Sequence, residues 1–114
     1  MSAKLTSRQV GEVTVVDVEG RITLGEGSSA LRDELRHLIS TNRKKIVLNL
    51  ADVTYIDSSG IGQLVAGFTT VSNQGGKLKL LGLTKRMKDL LTITKISTIF
   101  ELFDDEGKAV MSFG

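Results

Sequence analysis

The sequence predicts an α/β fold in which a mixed sheet carries about four helices. Short runs rich in branched apolar residues alternate along the chain with segments whose apolar residues recur at helical spacing. Near the start of the chain, Gly11-Glu12 stands between Val10 and a second run that contains Val13, Val15, Val16 and Val18, a pattern typical of an antiparallel hairpin. The predicted order β-β-α-β-α-β-α-β-α then requires parallel, right-handed crossovers after the hairpin.

The first elements follow from valine alternation and from a serine pair. Strands are predicted at about residues 4–10 and 12–19, and residues 20–27 are predicted to form a loop. Ser28 or Ser29 can cap the first helix, because a serine hydroxyl accepts from the free amides of a helix start. The apolar face of this helix is formed by Leu31, Leu35, Leu38 and Ile39.

The later elements are marked by buried-strand composition and by glycine. The apolar run that begins at Lys45 suits a strand covered on both faces, and Gly75-Gly76 indicates a helix stop. Acidic residues after the last strand favour the start of a short closing helix. The predicted elements are a strand at 45–50, a helix at about 58–73, a strand at 77–81, a helix after Thr84, a strand at 99–103 and a helix after Asp104.

Some strands alternate polar and apolar residues, and this alternation indicates whether the second face of the sheet is covered by helices. If every helix lay on one face of the sheet, the other face would have to be polar. The alternation is compatible with such a face in two of the strands. Its polar members are Thr14, Asp17, Glu19, Lys77 and Lys79.

Length and composition narrow the function classes. The 114 residues are expected to form a single domain, 1–114. The 15 basic and 13 acidic side chains give a net charge of only +2, so a direct nucleic-acid partner is not expected. The chain has no cysteine and one histidine, His37, so no metal site or cofactor is expected. No segment has the roughly 20 apolar residues of a membrane span, and none resembles a secretory signal; a cytoplasmic monomer or weak dimer is the simplest expectation.

The most informative stretch of the sequence is Asp57-Ser58-Ser59-Gly60-Ile61-Gly62. It lies where the buried strand is predicted to lead into the second helix. Asp57 can cap this helix by accepting from the amide of Ser59 or Gly60, which leaves Ser58 at the first helical position with its hydroxyl outward. Gly60 and Gly62 are expected to leave room for a partner or ligand near the backbone.

This stretch can be interpreted as a helix cap alone or as a phosphorylation site. Asp and Ser are preferred caps, so capping by itself would explain their presence. One cap needs one polar side chain, however, and three stand in a row. A phosphate on Ser58 would suit the helix N-terminus, whose amides favour anions, and would make the surface beside Asp57 strongly negative.

Enzymatic interpretations fail on the residues that they require. Neither serine lies in the G-x-S-x-G pattern of a nucleophile elbow, and no P-loop ending Gly-Lys-Ser/Thr is present. The acidic run Asp104-Asp105-Glu106 is better explained as a helix start than as a metal site. The sequence therefore indicates a binding module and not an enzyme.

Across essentially its whole length, the chain resembles STAS-domain proteins of the anti-sigma-factor antagonist family, which regulate bacterial sporulation and stress responses. The resemblance rests on the hairpin ending in Gly20, the strand Ile46–Leu50, the segment Val53–Gly62, the pair Gly75-Gly76 and the strand Leu78–Leu81. It implies a single STAS domain with a mixed sheet.

The resemblance also implies a function. In that family the antagonist binds an anti-sigma factor that is also a serine kinase, so that the sigma factor is released. The kinase phosphorylates the serine after the motif aspartate, here Ser58 with Ser59 as the alternative, and a serine phosphatase reverses the step. The docking surface implied by position is formed by Asp57, Ser58, Ser59, Gly60 and Gly62.

The loop after the second strand departs from the family pattern. Arg21 and Thr23 stand where acidic residues that help the kinase contact are expected, which suggests a different cognate kinase. Two other functions stay open. One is a STAS subunit of a transporter or stress-signalling scaffold, and the other is a module that binds a nucleotide near the same junction.

Overall fold

A computed structural model describes residues 3–113, apart from the side chain of Ser97. Within these residues a five-stranded sheet is combined with four α-helices and one 3₁₀ turn. The elements are β1 (Ala3–Val10), β2 (Val13–Ile22), α1 (Glu26–Ser40), β3 (Lys45–Ile56), α2 (Ser58–Asn73), β4 (Lys77–Leu81), α3 (Lys85–Ile93), the 3₁₀ turn (Ile96–Thr98), β5 (Leu102–Phe103) and α4 (Glu106–Met111).

The strands lie side by side in the order β1-β2-β3-β4-β5. The first two are antiparallel, and every later pair is parallel. This confirms the predicted α/β fold with a mixed sheet and an N-terminal hairpin. Because β2, β3 and β4 run in the same direction, their carboxyl ends lie toward one edge of the domain, where α2 and α3 begin.

Apolar residues are buried on both faces of the sheet. The larger core lies between the sheet and α1, α2 and α3, and it contains Leu35, Leu48 and Leu64, each at most 2% exposed. A smaller core lies on the opposite face, where Ala109 of α4 packs with Val15 and Val47. No helix within residues 3–113 is both long and apolar enough to cross a bilayer.

The expectation of a polar second face is wrong at two of its positions. Lys79 is only 3% exposed, because the end of α4 and the two residues after it cover it: its ammonium donates to the Ser112 hydroxyl at 2.8 Å and lies 4.4 Å from the centre of the Phe113 ring. Glu101 completes its surroundings with an ion pair at 2.8 Å. Thr14 is buried as well, and its hydroxyl donates to the Gln9 side chain at 2.9 Å.

The start of α1 differs from the prediction. The helix begins at Glu26, after Gly25, whose φ of 95° lets the chain turn sharply. Ser28 is therefore inside the first turn and not at the cap, and its hydroxyl donates to the Thr23 carbonyl at 2.8 Å. The predicted loop is correspondingly shorter, because β2 continues to Ile22.

Two strands have lengths that the sequence did not predict. β3 continues six residues beyond its predicted end at Leu50, because it stays paired with β2 as far as Ile22 and Ile56, with two register shifts. The last strand is reduced to Leu102–Phe103, since the apolar run before it folds inward instead. In that run Phe100 is 6% exposed and packs edge-on against Phe68 at 5.3 Å between ring centres.

A cluster of charged side chains joins α4 to the hairpin through ion pairs and hydrogen bonds. Arg8 of β1 lies 2.6 Å from Asp17 of β2 and donates to Glu106 of α4 at 2.9 Å. Asn49 donates to the same Asp17 at 2.8 Å. Hydrogen bonds from Arg8 hold the pKa of both carboxyl groups below their usual range.

Arg8→Met is expected to loosen α4 more than it weakens the sheet. Each charged side chain in the cluster is more than a third exposed, so the loss in unfolding free energy should be only about 0.5–1 kcal/mol. Amide hydrogen exchange should accelerate in residues 106–111, because Asp17 and Glu106 then repel each other without the cation. Unchanged exchange in α4 would contradict this role of the cluster.

The acid dependence of the variant supplies a second check. Carboxyl groups with a lowered folded pKa contribute stability above their unfolded pKa, and this contribution is lost as the pH falls through the folded value. Because Arg8 lowers both pKa values, Arg8→Met should show a smaller loss of stability on acidification than the unchanged protein. Urea unfolding at neutral and acid pH measures the difference.

Candidate functional site

The candidate site lies where β3 leads into α2. Asp57 has extended backbone angles and is the N-cap of α2, and its carboxylate accepts from the Gly60 amide at 2.9 Å. This confirms the predicted cap and selects Gly60 as its principal donor. Ile56 before this junction and Ile61 after it are both part of the larger core, so the junction packs against that core on both sides of Ser58.

Asp57 also joins this junction to the loop between β2 and α1. Its second carboxylate oxygen accepts from the Leu24 amide at 3.1 Å, and its own amide donates to the Ile22 carbonyl at 3.3 Å. The amides of Gly60 and then Leu24 hold the pKa of the Asp57 carboxyl below its usual range. A single ionised side chain therefore organises two loops at the same edge of the sheet.

Ser58 is the first residue of α2 and is exposed. Within residues 3–113 its hydroxyl makes no hydrogen bond to the protein, so modification of this oxygen breaks no hydrogen bond of the described fold. Ser59 is partly covered. An anion attached at Ser58 would lie at the positive end of a 16-residue helix, where backbone amides and the helix dipole favour negative charge.

The two glycines of the motif have different surroundings. An added Cβ at Gly62 would meet no atom within 4 Å, so the predicted open space exists there. At Gly60 that space is filled by the protein itself: a Cβ would lie 2.2 Å from the Ile22 carbonyl oxygen and 2.6 Å from Ile56 Cγ1. Gly60 thus permits α2 to pack directly on the end of β2.

Arg21 and Thr23 are brought to the same edge of the sheet as the motif. Arg21 pairs in register with Tyr55, and its guanidinium lies 4.9 Å from the centre of the Tyr55 ring. The Thr23 carbonyl accepts both the amide and the hydroxyl of Ser28, which fixes the loop. The structure therefore places these two departures near Asp57, where they would alter any surface that includes Ser58.

A groove that no sequence pattern had indicated adjoins Ser58. It runs between the end of β3, the start of α2 and α3, and has a volume of about 710 Å³. Its residues from α3 include Arg86, Met87 and Leu90. The signal that could have revealed it is topological, because helices that follow neighbouring parallel strands begin at the same edge of the sheet.

Asp57→Asn is expected to keep the cap but lose its dependence on pH. Asparagine accepts the Gly60 amide about as well as aspartate does but has no second oxygen for the Leu24 amide, whereas Asp57→Ala removes both acceptors. Because the folded pKa of Asp57 is lowered, its stabilising contribution is present above the unfolded pKa of about 3.9 and disappears as the pH falls through the folded value.

Thermal unfolding from neutral to acid pH tests this expectation. The Asn variant should lose less stability on acidification than the unchanged protein, and the Ala variant should be the least stable of the three at neutral pH. Parallel pH profiles for Asp57→Asn and the unchanged protein would show that the Asp57 charge adds nothing beyond its role as an acceptor.

The fold and the site together define a small α/β domain that presents an exposed serine at the start of a helix. The STAS domain family model matches residues 4–109. The chain belongs to the STAS domain family.

Curated relatives and solved structures agree with this assignment. The chain is 43% identical over 53 residues to the anti-sigma-B factor antagonist of Bacillus subtilis (strain 168). This matched segment covers 46% of this chain and 49% of that protein. A match to the antagonist of the same name in Listeria monocytogenes is 36% identical over 61 residues and covers 54% of each chain. The chain thus spans about half the length of these relatives in the matches.

Two solved structures show the same fold over nearly the whole chain. An anti-sigma factor antagonist from Mycobacterium paratuberculosis is similar with a TM-score of 0.83 and 17% identity, over 97% of this chain and 93% of that one. The Bacillus cell fate determinant SpoIIAA in its phosphorylated form is similar with a TM-score of 0.75 and 17% identity, over 97% and 100% of the two chains.

Proposed function

We propose that residues 1–114 form a single STAS domain that acts as an anti-sigma factor antagonist, controlled by phosphorylation of Ser58. The observation that carries this proposal is the exposed Ser58 at the first position of α2, beside a fixed Asp57 and without a role in the fold. Relatives that match part of the chain are named as antagonists of anti-sigma factors. SpoIIAA, whose fold this chain shares, has been solved in a phosphorylated form.

The proposed partners are an anti-sigma factor with serine kinase activity and a serine phosphatase. In the unmodified state the surface around Ser58 binds the kinase, and the sigma factor is released. The kinase then transfers the γ-phosphoryl group of ATP to the Ser58 oxygen: a new P–O bond forms, the bond to ADP breaks and the hydroxyl proton is lost. Hydrolysis of the phosphate by the phosphatase restores the binding surface.

The electrostatics of the junction support such a switch. A phosphate adds a charge of about −1.5 to −2 near pH 7, and the N-terminus of α2 can accept it without loss of the helix. Asp57 stays ionised beside it because the Gly60 and Leu24 amides lower its pKa. The fold therefore survives while the charge of the exposed surface changes, which is the property that a reversible binding switch requires.

The modification is tested by incubating the protein with ATP and with an anti-sigma factor serine kinase from the same organism. We expect one phosphate per chain, mapped to Ser58 by mass spectrometry and absent in Ser58→Ala. Ser59→Ala is the matched control and should still accept one phosphate.

Three results would overturn parts of the proposal. Reproducible modification at Ser59 would move the switch by one residue, and modification elsewhere would remove it from this junction. Failure of any such kinase to bind, together with stable co-purification with transporter subunits, would favour the alternative of a STAS subunit in a transporter or stress-signalling scaffold.

A further inference from the structure

The groove beside Ser58 is large and has an apolar floor. Its volume of about 710 Å³ lies within the roughly 300–1,000 Å³ typical of ligand sites. Its floor is apolar: Val53, Ile56 and Met87 line it and are each at most 7% exposed. Leu90 of α3 is partly exposed along one wall.

One side of this groove is an unpaired strand edge. β3 pairs with β4 only from Lys45 to Asn49, whereas its pairing with β2 continues to Ile56. The last residues of β3 therefore have no strand neighbour on the groove side within residues 3–113. Gly82 lies against Ala51 and closes the near end, so the open edge runs from about residue 52 to 56.

The direction of one backbone carbonyl can be derived. The Asp57 amide points toward β2, because it donates to the Ile22 carbonyl at 3.3 Å. In a trans peptide the carbonyl points the opposite way from the following amide, and no peptide bond within residues 3–113 is cis. The Ile56 carbonyl therefore faces the groove, where it is available to accept a hydrogen bond.

The charges at the groove favour an acidic occupant. Arg86 lines the groove, is exposed and forms no ion pair with any residue in the described part of the chain. Arg21 of β2 does not line the groove, but its guanidinium lies 4.9 Å from the centre of the Tyr55 ring, which does. The carboxylate of Asp57 is already occupied by the Gly60 and Leu24 amides.

We propose that this groove binds an extended segment of a partner protein, which adds as a strand alongside residues 52–56 of β3. Backbone hydrogen bonds to the open edge supply part of the affinity, and alternate apolar side chains fill the floor over Val53 and Met87. An acidic side chain of the segment pairs with Arg86. An unpaired edge, an apolar floor and a free guanidinium are the three features that such a segment would use together.

This site also offers a physical route by which Ser58 could control binding, a step that rests on the proposed function. Ser58 and Arg86 line the same groove. A phosphate on Ser58 would place an anion beside the acidic segment and would compete with it for Arg86. The strand addition itself does not depend on phosphorylation and can be tested on this chain alone.

Peptides provide the direct test. We would select ten-residue peptides from a phage-displayed library against the unmodified protein and compare the best one with a copy N-methylated at alternate residues. The proposal expects a sequence with alternating apolar residues and at least one acid. It also expects N-methylation to weaken binding at least tenfold, because the methyl groups remove the amides that pair with β3. Hydrogen exchange at the amides of residues 52–56 should slow when the peptide is bound.

Charge reversal supplies matched variants. Arg86→Glu should weaken the selected peptide at least tenfold, whereas Arg36→Glu, an equal change at an exposed position on α1, should leave affinity unchanged. Equal affinity of the N-methylated peptide, a helical spacing of its apolar residues, protection outside residues 52–56 or failure to select any peptide would each overturn strand addition. None of these results depends on a kinase, so they are distinguishable from failure of the Ser58 switch.

Discussion

Gly60→Ala is expected to destabilise the protein by about 3 kcal/mol, a large effect for the addition of one methyl group. The added Cβ would lie 2.2 Å from the Ile22 carbonyl oxygen and 2.6 Å from Ile56 Cγ1. The oxygen belongs to the backbone of β2 and already accepts the Asp57 amide. It cannot move aside without breaking the contact that joins β2 to the start of α2.

Gly62→Ala is the matched control, since it makes the same chemical change two residues later. Nothing lies within 4 Å of the added Cβ, and alanine is favoured over glycine inside a helix by about 0.8–1 kcal/mol. Urea unfolding should therefore show opposite shifts for the two variants. Equal stability of Gly60→Ala and Gly62→Ala would refute the close approach of α2 to Ile22.

The two glycines illustrate how far this motif could be interpreted from sequence. The Asp57 cap and the exposed position of Ser58 follow from local rules about helix starts, and the structure confirms both. Which glycine faces open space and which faces the core depends on where β2 ends, and that is a tertiary property. Sequence spacing therefore could not separate Gly60 from Gly62.

The same distinction applies to the fold. Periodicity and composition were sufficient for the hairpin, for α2 and for β4, because each has a strong local pattern. The burial of Lys79 could not be predicted, because it depends on α4, which covers that face, and on Glu101, which supplies the counter-charge. The shortening of the last strand likewise follows from the packing of Phe100 against Phe68.

The groove beside Ser58 is the part of the candidate site that local patterns missed altogether. It exists because β3 extends past the end of β4, and this extension results from continued pairing with β2 through two register shifts. A pairing of that kind joins residues far apart in sequence. Local sequence patterns consequently do not show that Arg86 and Leu90 face the same space as Ser58.

Ser58→Asp is expected to weaken binding of the proposed kinase at least tenfold, while Ser58→Ala keeps the affinity of the unmodified protein. The aspartate adds one negative charge to a surface that already carries ionised Asp57, and an interface matched to the neutral serine would then bury unfavourable charge. The folded state should not suffer, because the charge lies at the N-terminus of α2. Calorimetric titration measures affinity, and thermal unfolding verifies that stability is retained.

Asn42→Asp separates a local effect at Ser58 from a change in net charge. Asn42 is exposed in the turn between α1 and β3, at the amino end of β3 and therefore at the opposite end of this strand from Ser58. Its φ of 63° is a conformation that aspartate also adopts, so the substitution adds the same charge with little strain. If Asn42→Asp weakened the kinase as much as Ser58→Asp does, long-range repulsion would explain the loss; if only Ser58→Asp weakens it, the contact is at the start of α2.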